Sequence, residues 1–433
     1  MYDKINETSE SIKDNLFKWR RDFHQYPEAG WFEMRTSSII ARRLTELGYK
    51  VLSGAEVCDA ASRMGLPSAG ELEVNYKRAI EQGADSEFVK KTAGGFTGVI
   101  GILECGEGPT VALRFDIDAL GVVESVSSEH FPYKNNFISK NSGFMHACGH
   151  DGHTTVGLGV AEVLFSIREK LHGTVKLIFQ PAEEGVRGAK SIVKKGHLDD
   201  VDFLLGAHMG GDLNISSSLI GIGNGYSLAT TKFDVVFRGK AAHAGVSPEL
   251  GNSAMLAAAT TVMNLNSIPR HGSSSTRVNV GKLSAGTSRN VICDRAFLEV
   301  EVRGDSTEAN NYMCDYAFRI IRSAAEMHGC SSKIKLMGSA ESTCNSPELS
   351  ERIKSVCSEE LGLKVKRFDD KASGSEDFSY MSERVKQKGG QSCYFLNISR
   401  CTAPLHNEKF DFDESALVYG VKAFSGITYD LLK

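Results

Sequence analysis

No run of about 18 apolar residues occurs in the chain, so no membrane-spanning helix is expected. The N-terminus, Met1-Tyr-Asp-Lys-Ile-Asn-Glu-Thr8, has neither a basic nor an apolar leader region, which argues against a secretory signal. Ten cysteines are present, but no Cys-x-x-Cys pair recurs. Without an export signal they read as reduced thiols, so a cytoplasmic location is expected and a thiol-redox or metal-storage protein is disfavoured. Positive charge is not in excess: 50 Lys and Arg face 54 Asp and Glu, a net charge of -4. That excludes the electrostatic footprint of a nucleic-acid or anionic-membrane binder. Internal repeats and low-complexity tracts are missing as well. What remains is an ordinary globular composition, with 41% hydrophobic and 24% charged residues over 433 positions. Such a chain can bury a core without disulfides and has room for two or three domains.

The hydrophobic period changes along the chain. Ile12, Leu16, Trp19 and Phe23 form one helical stripe that Pro27 ends, and a second helix runs from Glu33 to a C-cap at Gly48. Residues 55–95 are polar and poor in β-branched residues, and read as an inserted excursion over the surface with a helical patch at 71–80. Strands are expected at 97–103, 111–116, 174–179 and 202–208, with a helix from Asp151. Strands alternating with helices imply a layered α/β core with a parallel or mixed sheet. Between 229 and 336 the order becomes βαββαβ, which closes as an independent small sheet domain. The reading is a catalytic domain in two pieces, 1–228 and 337–433, interrupted by a lid or dimerisation domain at 229–336. The second piece ends on a helix at 415–432.

The densest chemical signal is His146-Ala-Cys148-Gly-His150-Asp-Gly-His153. Imidazole and thiolate are the usual ligands of zinc and similar ions. If this loop is extended, Cys148 and His150 point to the same side and reach one ion. Glu183-Glu184 follows the strand that ends at Gln180. In extended chain, neighbouring side chains point apart, so one carboxylate can bind metal while the other stays free as a general base. His208 at a strand end and His406 in Pro404-Leu-His-Asn are weak signals singly. Together they supply the distant ligands that a two-metal site needs. A solvated acidic turn and hydrogen-bonded histidines are the plainer reading of each feature taken alone.

These residues resemble the aminoacylase/carboxypeptidase G family of metallo-amidohydrolases, in the branch that holds hippurate hydrolase and the auxin-amino-acid hydrolases. The matching segments are Arg114-Phe-Asp116-Ile-Asp118-Ala-Leu, the 146–153 loop, Gln180-Pro-Ala-Glu-Glu184, Gly239-Lys-Ala-Ala-His243-Ala, Gly374-Ser-Glu-Asp377-Phe and the His406 region. They span nearly the whole chain. The resemblance implies a layered metallopeptidase domain interrupted by a ferredoxin-like α+β lid and dimerisation domain. It implies that Cys148, His150, Glu184, His208 and His406 bind two divalent ions, zinc or manganese. Glu183 would take a proton from the attacking water and give it to the leaving amine. Asp118 would orient a ligand; for Asp116 and His153 the plainer reading is that they only shape the loop. His243 would stabilise the oxyanion, in the partner subunit's site. Asn290, Arg303 and Gly374 would meet the substrate, with Asn290 and Arg303 on its carboxylate. For Arg303 a salt bridge at a strand end is an equal alternative. The 55–95 insert resembles that of aminobenzoyl-glutamate hydrolases. It points to p-aminobenzoyl-glutamate or a related aryl or acyl glutamate, and raises the question of a related second subunit. The alternatives are a broader N-acyl-amino-acid or dipeptide amidohydrolase, or a non-catalytic subunit of a heteromeric hydrolase. A homodimer through the lid is the expected assembly.

Overall fold

In the computed structural model, the described residues are 1–211, 215, 218–368 and 374–433. They carry twelve strands: β1 (Lys50–Ser53), β2 (Val99–Glu104), β3 (Thr110–Asp116), β4 (Thr174–Gln180), β5 (Phe203–Gly211), β6 (Leu219–Ile222), β7 (Ala229–Arg238), β8 (Thr276–Ala285), β9 (Arg295–Gly304), β10 (Ser331–Ala340), β11 (Val365–Arg367) and β12 (Gln391–Ser399). They divide into two compact units, one of Met1–Tyr226, Thr343–Lys371 and Asp377–Lys433, the other of Ser227–Ser342 and Ala372–Glu376.

The first unit is built on a mixed eight-stranded sheet in the order β1-β2-β4-β3-β5-β12-β6-β11. Its centre, β4-β3-β5-β12, is parallel throughout. Such strands are covered on both faces and read as continuous apolar runs. In β3 every residue after Thr110 is buried, and the same holds for β4 after Thr174. Helix His150–Ser166 follows the ligand-rich loop and is buried almost all round, from His150 to Ala161 without a break. It packs so closely that a Cβ on Gly157 would lie 2.6 Å from the Phe179 ring. Four parallel strands therefore deliver their carboxyl ends side by side. This is where open α/β sheets build sites.

The expected stripe lies on one helix, Lys13–Gln25, with Ile12 as its N-cap, and a separate short helix, Tyr2–Ser11, precedes it. Leu16 and Phe23 are buried on the second helix, Trp19 is half-buried, and Arg20 and His24 are buried beside them. The 55–95 insert is not a surface excursion. Val57, Cys58, Leu72, Ala79 and Val89 join a core with Trp31 and Ile178, and the Trp31 indole donates to the Met64 carbonyl at 2.8 Å.

The second unit is a four-stranded antiparallel sheet, β10-β7-β9-β8, with helices Ala254–Leu265 and Thr307–Met327. Both helices contribute to a separate core around Phe233, Val235, Leu298 and Ile321. None of the described helices is long and apolar enough to cross a membrane.

Candidate metal centre

Cys148 and His150 do not sit in an extended loop. Gly149 adopts a left-handed conformation (φ 86°) and caps the helix that His150 opens. The turn, rather than strand alternation, aims both side chains at one place. Cys148 Sγ lies 3.4 Å from His208 Nε2, and Cys148, His150 and His208 offer ligand atoms within 4.8 Å of one another. His208 lies within β5 rather than at its end.

Glu183 and Glu184 are not in extended chain. They occupy a turn after β4, entered through Ala182 at φ 52°. The Asp118 carboxylate accepts both their backbone N–H groups, at 3.0 Å from Glu183 and 2.9 Å from Glu184. It also lies 3.4 Å from His150 Nδ1, which contacts the Asp118 carbonyl oxygen at 2.9 Å. One aspartate thus sets the turn and faces the back of a histidine whose other nitrogen lies 4.0 Å from Glu183. His150, Glu183 and Glu184 form a second close group, and Cys148, Glu184 and His406 a third. His406 Nε2 is 3.6 Å from Glu184 Oε1.

Asp116 and His153 do more than shape a loop. They hydrogen-bond to each other, and the Met209 amide donates to His153 Nε2 at 2.5 Å, tying β3 and the helix to β5. His150 Nδ1 is 3.8 Å from Asp116. His146 is buried with both ring nitrogens lacking a hydrogen-bond partner among the described residues. Burial pulls its pKa down to about 3, so it fills space as a neutral ring.

Two further layers were not anticipated from sequence. Arg114 donates to Gln180 at 2.8 Å and to Asp116 at 2.6 Å, and reaches Asp377 at 3.2 Å. Glu33, fully buried, accepts the Thr97 hydroxyl at 2.6 Å and the Ala182 amide at 2.7 Å. Arg114, Gln180 and Asp377 lie inside recognisable motifs, which was the available signal. Glu33 reads as an ordinary helix start.

Burial and neighbouring charge set the protonation of these groups. Burial pushes the Glu184 carboxyl up to about 7. Burial, with the nearby Asp118 charge, raises Glu33. Burial also pulls His208 down to about 3, which leaves a neutral imidazole of the kind that ligates metals. Burial opposes charge on His150 too, but the Asp116 charge overcomes it and holds the pKa well up. Two buried atoms aimed into this space, His150 Nε2 and Glu184 Oε1, have no hydrogen-bond partner among the described residues. Buried polar atoms ordinarily do. Nitrogen, thiolate and carboxylate donors placed this way fit divalent ions such as zinc or manganese.

Similarity to known proteins agrees with this chemistry. Residues 112–430 match the model of peptidase family M20/M25/M40. The chain belongs to this family. It is 43% identical, over 98% of its length and 97% of the other's, to one subunit of the p-aminobenzoyl-glutamate hydrolase of Escherichia coli. An aminobenzoyl-glutamate utilization protein from Klebsiella pneumoniae superposes with a TM-score of 0.84 at 36% identity, covering 98% of both chains. A dinuclear metal-binding peptidase of the M20 family from Bacillus subtilis superposes at 0.66 with 26% identity, covering 98% of this chain and 99% of that one. The chain is thus a family M20 amide hydrolase with candidate ligands for metal.

The other expected site residues lie in the second unit. His243 and Asn290 are neighbours there: the Ala244 amide donates to the Asn290 carbonyl at 3.0 Å, and His243 pairs with Val291. Arg303, on β9, donates to Glu301 at 3.0 Å, the ion pair that stood as its plainer reading. Gly374 has a φ of 134° and accepts the Leu228 amide at 2.8 Å.

Proposed function

We propose that this protein hydrolyses the amide bond of p-aminobenzoyl-glutamate, giving p-aminobenzoate and glutamate, with two divalent ions held by Cys148, His150, Glu184, His208 and His406. The observation that carries the reading is the convergence of these five side chains in overlapping groups, around His150 Nε2 and Glu184 Oε1, which have no hydrogen-bond partner among the described residues. Zinc or manganese suits the mixed donor set. When bound, the ions would polarise the scissile carbonyl and acidify the attacking water.

The chain's own groups do the rest. Glu183, 4.0 Å from His150 Nε2, takes the proton of the attacking water and passes it to the leaving amine. Asp118 fixes Glu183 and Glu184 through their amides and orients His150. In the second unit, read as a ferredoxin-like lid, His243 stabilises the oxyanion in the partner subunit's site. Asn290, Arg303 and Gly374 meet the substrate, with Asn290 and Arg303 on its carboxylate. The adjacency of His243 and Asn290 supports a shared task. The substrate assignment rests on the full-length likeness to the Escherichia coli hydrolase subunit.

The lid also serves as a dimerisation surface in this reading. Its edge strand β8 is largely exposed, and helix Ala254–Leu265 exposes Met255, Leu256 and Met263 at 44%, 55% and 74%. Apolar surface of this kind is enriched at interfaces. A related second chain is the alternative partner, because the Escherichia coli relative is named as one subunit of its hydrolase. Ten unpaired cysteines favour a reducing, cytoplasmic setting.

The test is Glu183→Ala. It should bind both ions as wild type does and lose roughly 10²–10⁴-fold in turnover, the usual worth of a positioned base. Wild-type turnover with metal bound would refute the base assignment. Rates on p-aminobenzoyl-glutamate, hippurate and N-acetyl amino acids, measured on the chain alone, decide the substrate. Comparable rates on all three would replace the specific reading with the broad amidohydrolase. No turnover until a related second chain is added would replace it with a heteromeric enzyme.

A further inference from the structure

Arg20 is fully buried and reaches three carboxylates. Its Nε donates to Asp151 at 2.9 Å, its Nη2 to Asp411 at 2.5 Å, and its Nη1 lies 3.5 Å from Glu414. The guanidinium also stacks over Phe412, 4.5 Å from the ring centre. A buried cation is costly to desolvate, and removing one partner of such a cluster is strongly destabilising. What it joins is specific. Asp151 follows His150 directly in the first turn of the helix. Asp411 stands at the base of the loop that carries His406, where the Thr402 amide donates to the Asp411 carbonyl at 2.9 Å and Cys401 pairs with Phe412.

His406 needs such a support. Its φ is +65°, a left-handed conformation that costs a residue with a Cβ roughly 1–2 kcal/mol. Its side chain is 54% exposed and lies 3.6 Å from Glu184 Oε1. Its N–H donates to the Ala147 carbonyl at 2.8 Å, the residue before Cys148. The His406 loop and the Cys148–His150 turn are therefore stitched together twice, at the backbone by this bond and beneath it by Arg20.

We propose that Arg20 is a positioning residue for the metal centre: through Asp411 and Asp151 it sets the spacing between the His406 loop and the Cys148–His150 turn. The inference rests on the two-metal reading above. His406 belongs to the group with Cys148 and Glu184 and not to that of Cys148, His150 and His208. Loosening the Asp411 side of the clamp should therefore weaken one ion and spare the other.

The test is titration of the metal-free full chain with Co2+, followed by calorimetry and by the thiolate-to-cobalt absorption that Cys148 provides. Wild type should bind two equivalents. Asp411→Asn, isosteric, should keep one equivalent and the thiolate band, and lose roughly 10–100-fold in affinity for the other, the usual effect of losing a support behind a ligand. Arg21→Met is the control. Arg21 pairs with the same Glu414 at 2.6 Å, and its loss should leave both equivalents unchanged. Arg20→Lys, which keeps the buried charge but not the fork, loosens both arms and should lose at least the affinity that Asp411→Asn loses. Fewer than two equivalents in wild type would remove the two-metal reading itself. Two wild-type equivalents in a folded Asp411→Asn or Arg20→Lys would overturn the clamp. So would loss of the fold in both variants, because the cluster would then serve folding alone.

Discussion

Asp118 concentrates more of the site's geometry than any ligand does. Its two oxygens accept consecutive amides, from Glu183 and Glu184, and its carboxylate lies 3.4 Å from His150 Nδ1. Charge-assisted bonds to backbone N–H are stronger than neutral ones. Replacing this carboxylate by an amide keeps the shape but turns one acceptor into a donor facing an N–H. Asp118→Asn is therefore expected to let the Glu183–Glu184 turn relax and to lower metal affinity roughly 10–100-fold. A fold unchanged by circular dichroism, with metal affinity equal to wild type, would count against this role. The sequence offered Asp118 as an orienting residue through its motif. It gave no access to the fact that the oriented groups are amides, because a backbone partner leaves no mark on residue type. The same limit explains Glu33, whose partners are the Thr97 hydroxyl and the Ala182 amide.

Individual elements were legible wherever their period was clean. The helix expected from Glu33 to Gly48 runs Met34–Leu47, with Gly48 left-handed at φ 94°. The strands at β3 and β4 end where the apolar runs end. Shorter or mixed elements escaped. β1, β6 and β11 have four, four and three residues, too few to show a period. The local geometry of the chemistry was misread for a related reason. At 148–150 and 183–184 the chain turns instead of alternating, and tertiary bonds fix the turns. The insert was misread because its polar positions outnumber its buried ones, although Leu72, Asn75 and Ala79 face inward from one helix. That helix, Ala69–Glu81, starts with a capping box: the Glu71 amide donates to Ser68 Oγ, and the Ser68 amide donates to the Glu71 carboxylate. Ser68→Ala should cost about 1 kcal/mol of stability. The insert touches the Glu183–Glu184 turn through Arg187, which donates to the Glu184 carbonyl at 2.8 Å and to the Gly65 carbonyl at 3.4 Å. Through that coupling, Ser68→Ala should also raise KM more than it lowers kcat. A stability loss near zero in urea unfolding would show that the cap is dispensable.

Over the whole molecule, the first unit is closed by a buried ionic network that links chain segments near both termini. Helix Lys13–Gln25 supplies Arg20 and His24, and the segment before the final helix supplies Asp411 and Glu414. His24 contacts Asp151 at 2.8 Å and Glu124 at 2.9 Å, and Glu124 also meets His130 at 2.9 Å. Sequence periodicity could not find this network, since charged residues on an inner helix face look like solvated ones until their partners are known. Its consequence is a pH window. Burial opposes charge on His24, but the bonds to Asp151 and Glu124 overcome it and raise the pKa from 6.5 to about 9. A raised pKa gives stability that is complete below 6.5 and is lost as pH climbs through about 9. Burial likewise opposes charge on Glu124, yet the bonds from His130 and His24 lower it from 4.5 to about 2. That contribution is complete above 4.5 and is lost as pH falls through about 2. Both are present in full only between 4.5 and 6.5. His24→Gln removes the charge and keeps two polar atoms. Urea midpoints of the metal-free wild type and His24→Gln should differ most at pH 5.5–6.5, and the gap should close as pH rises towards 9.5. A gap that stays constant from pH 6 to 9.5 would mean that His24 is neutral in the fold and that the network takes its strength from Arg20 alone.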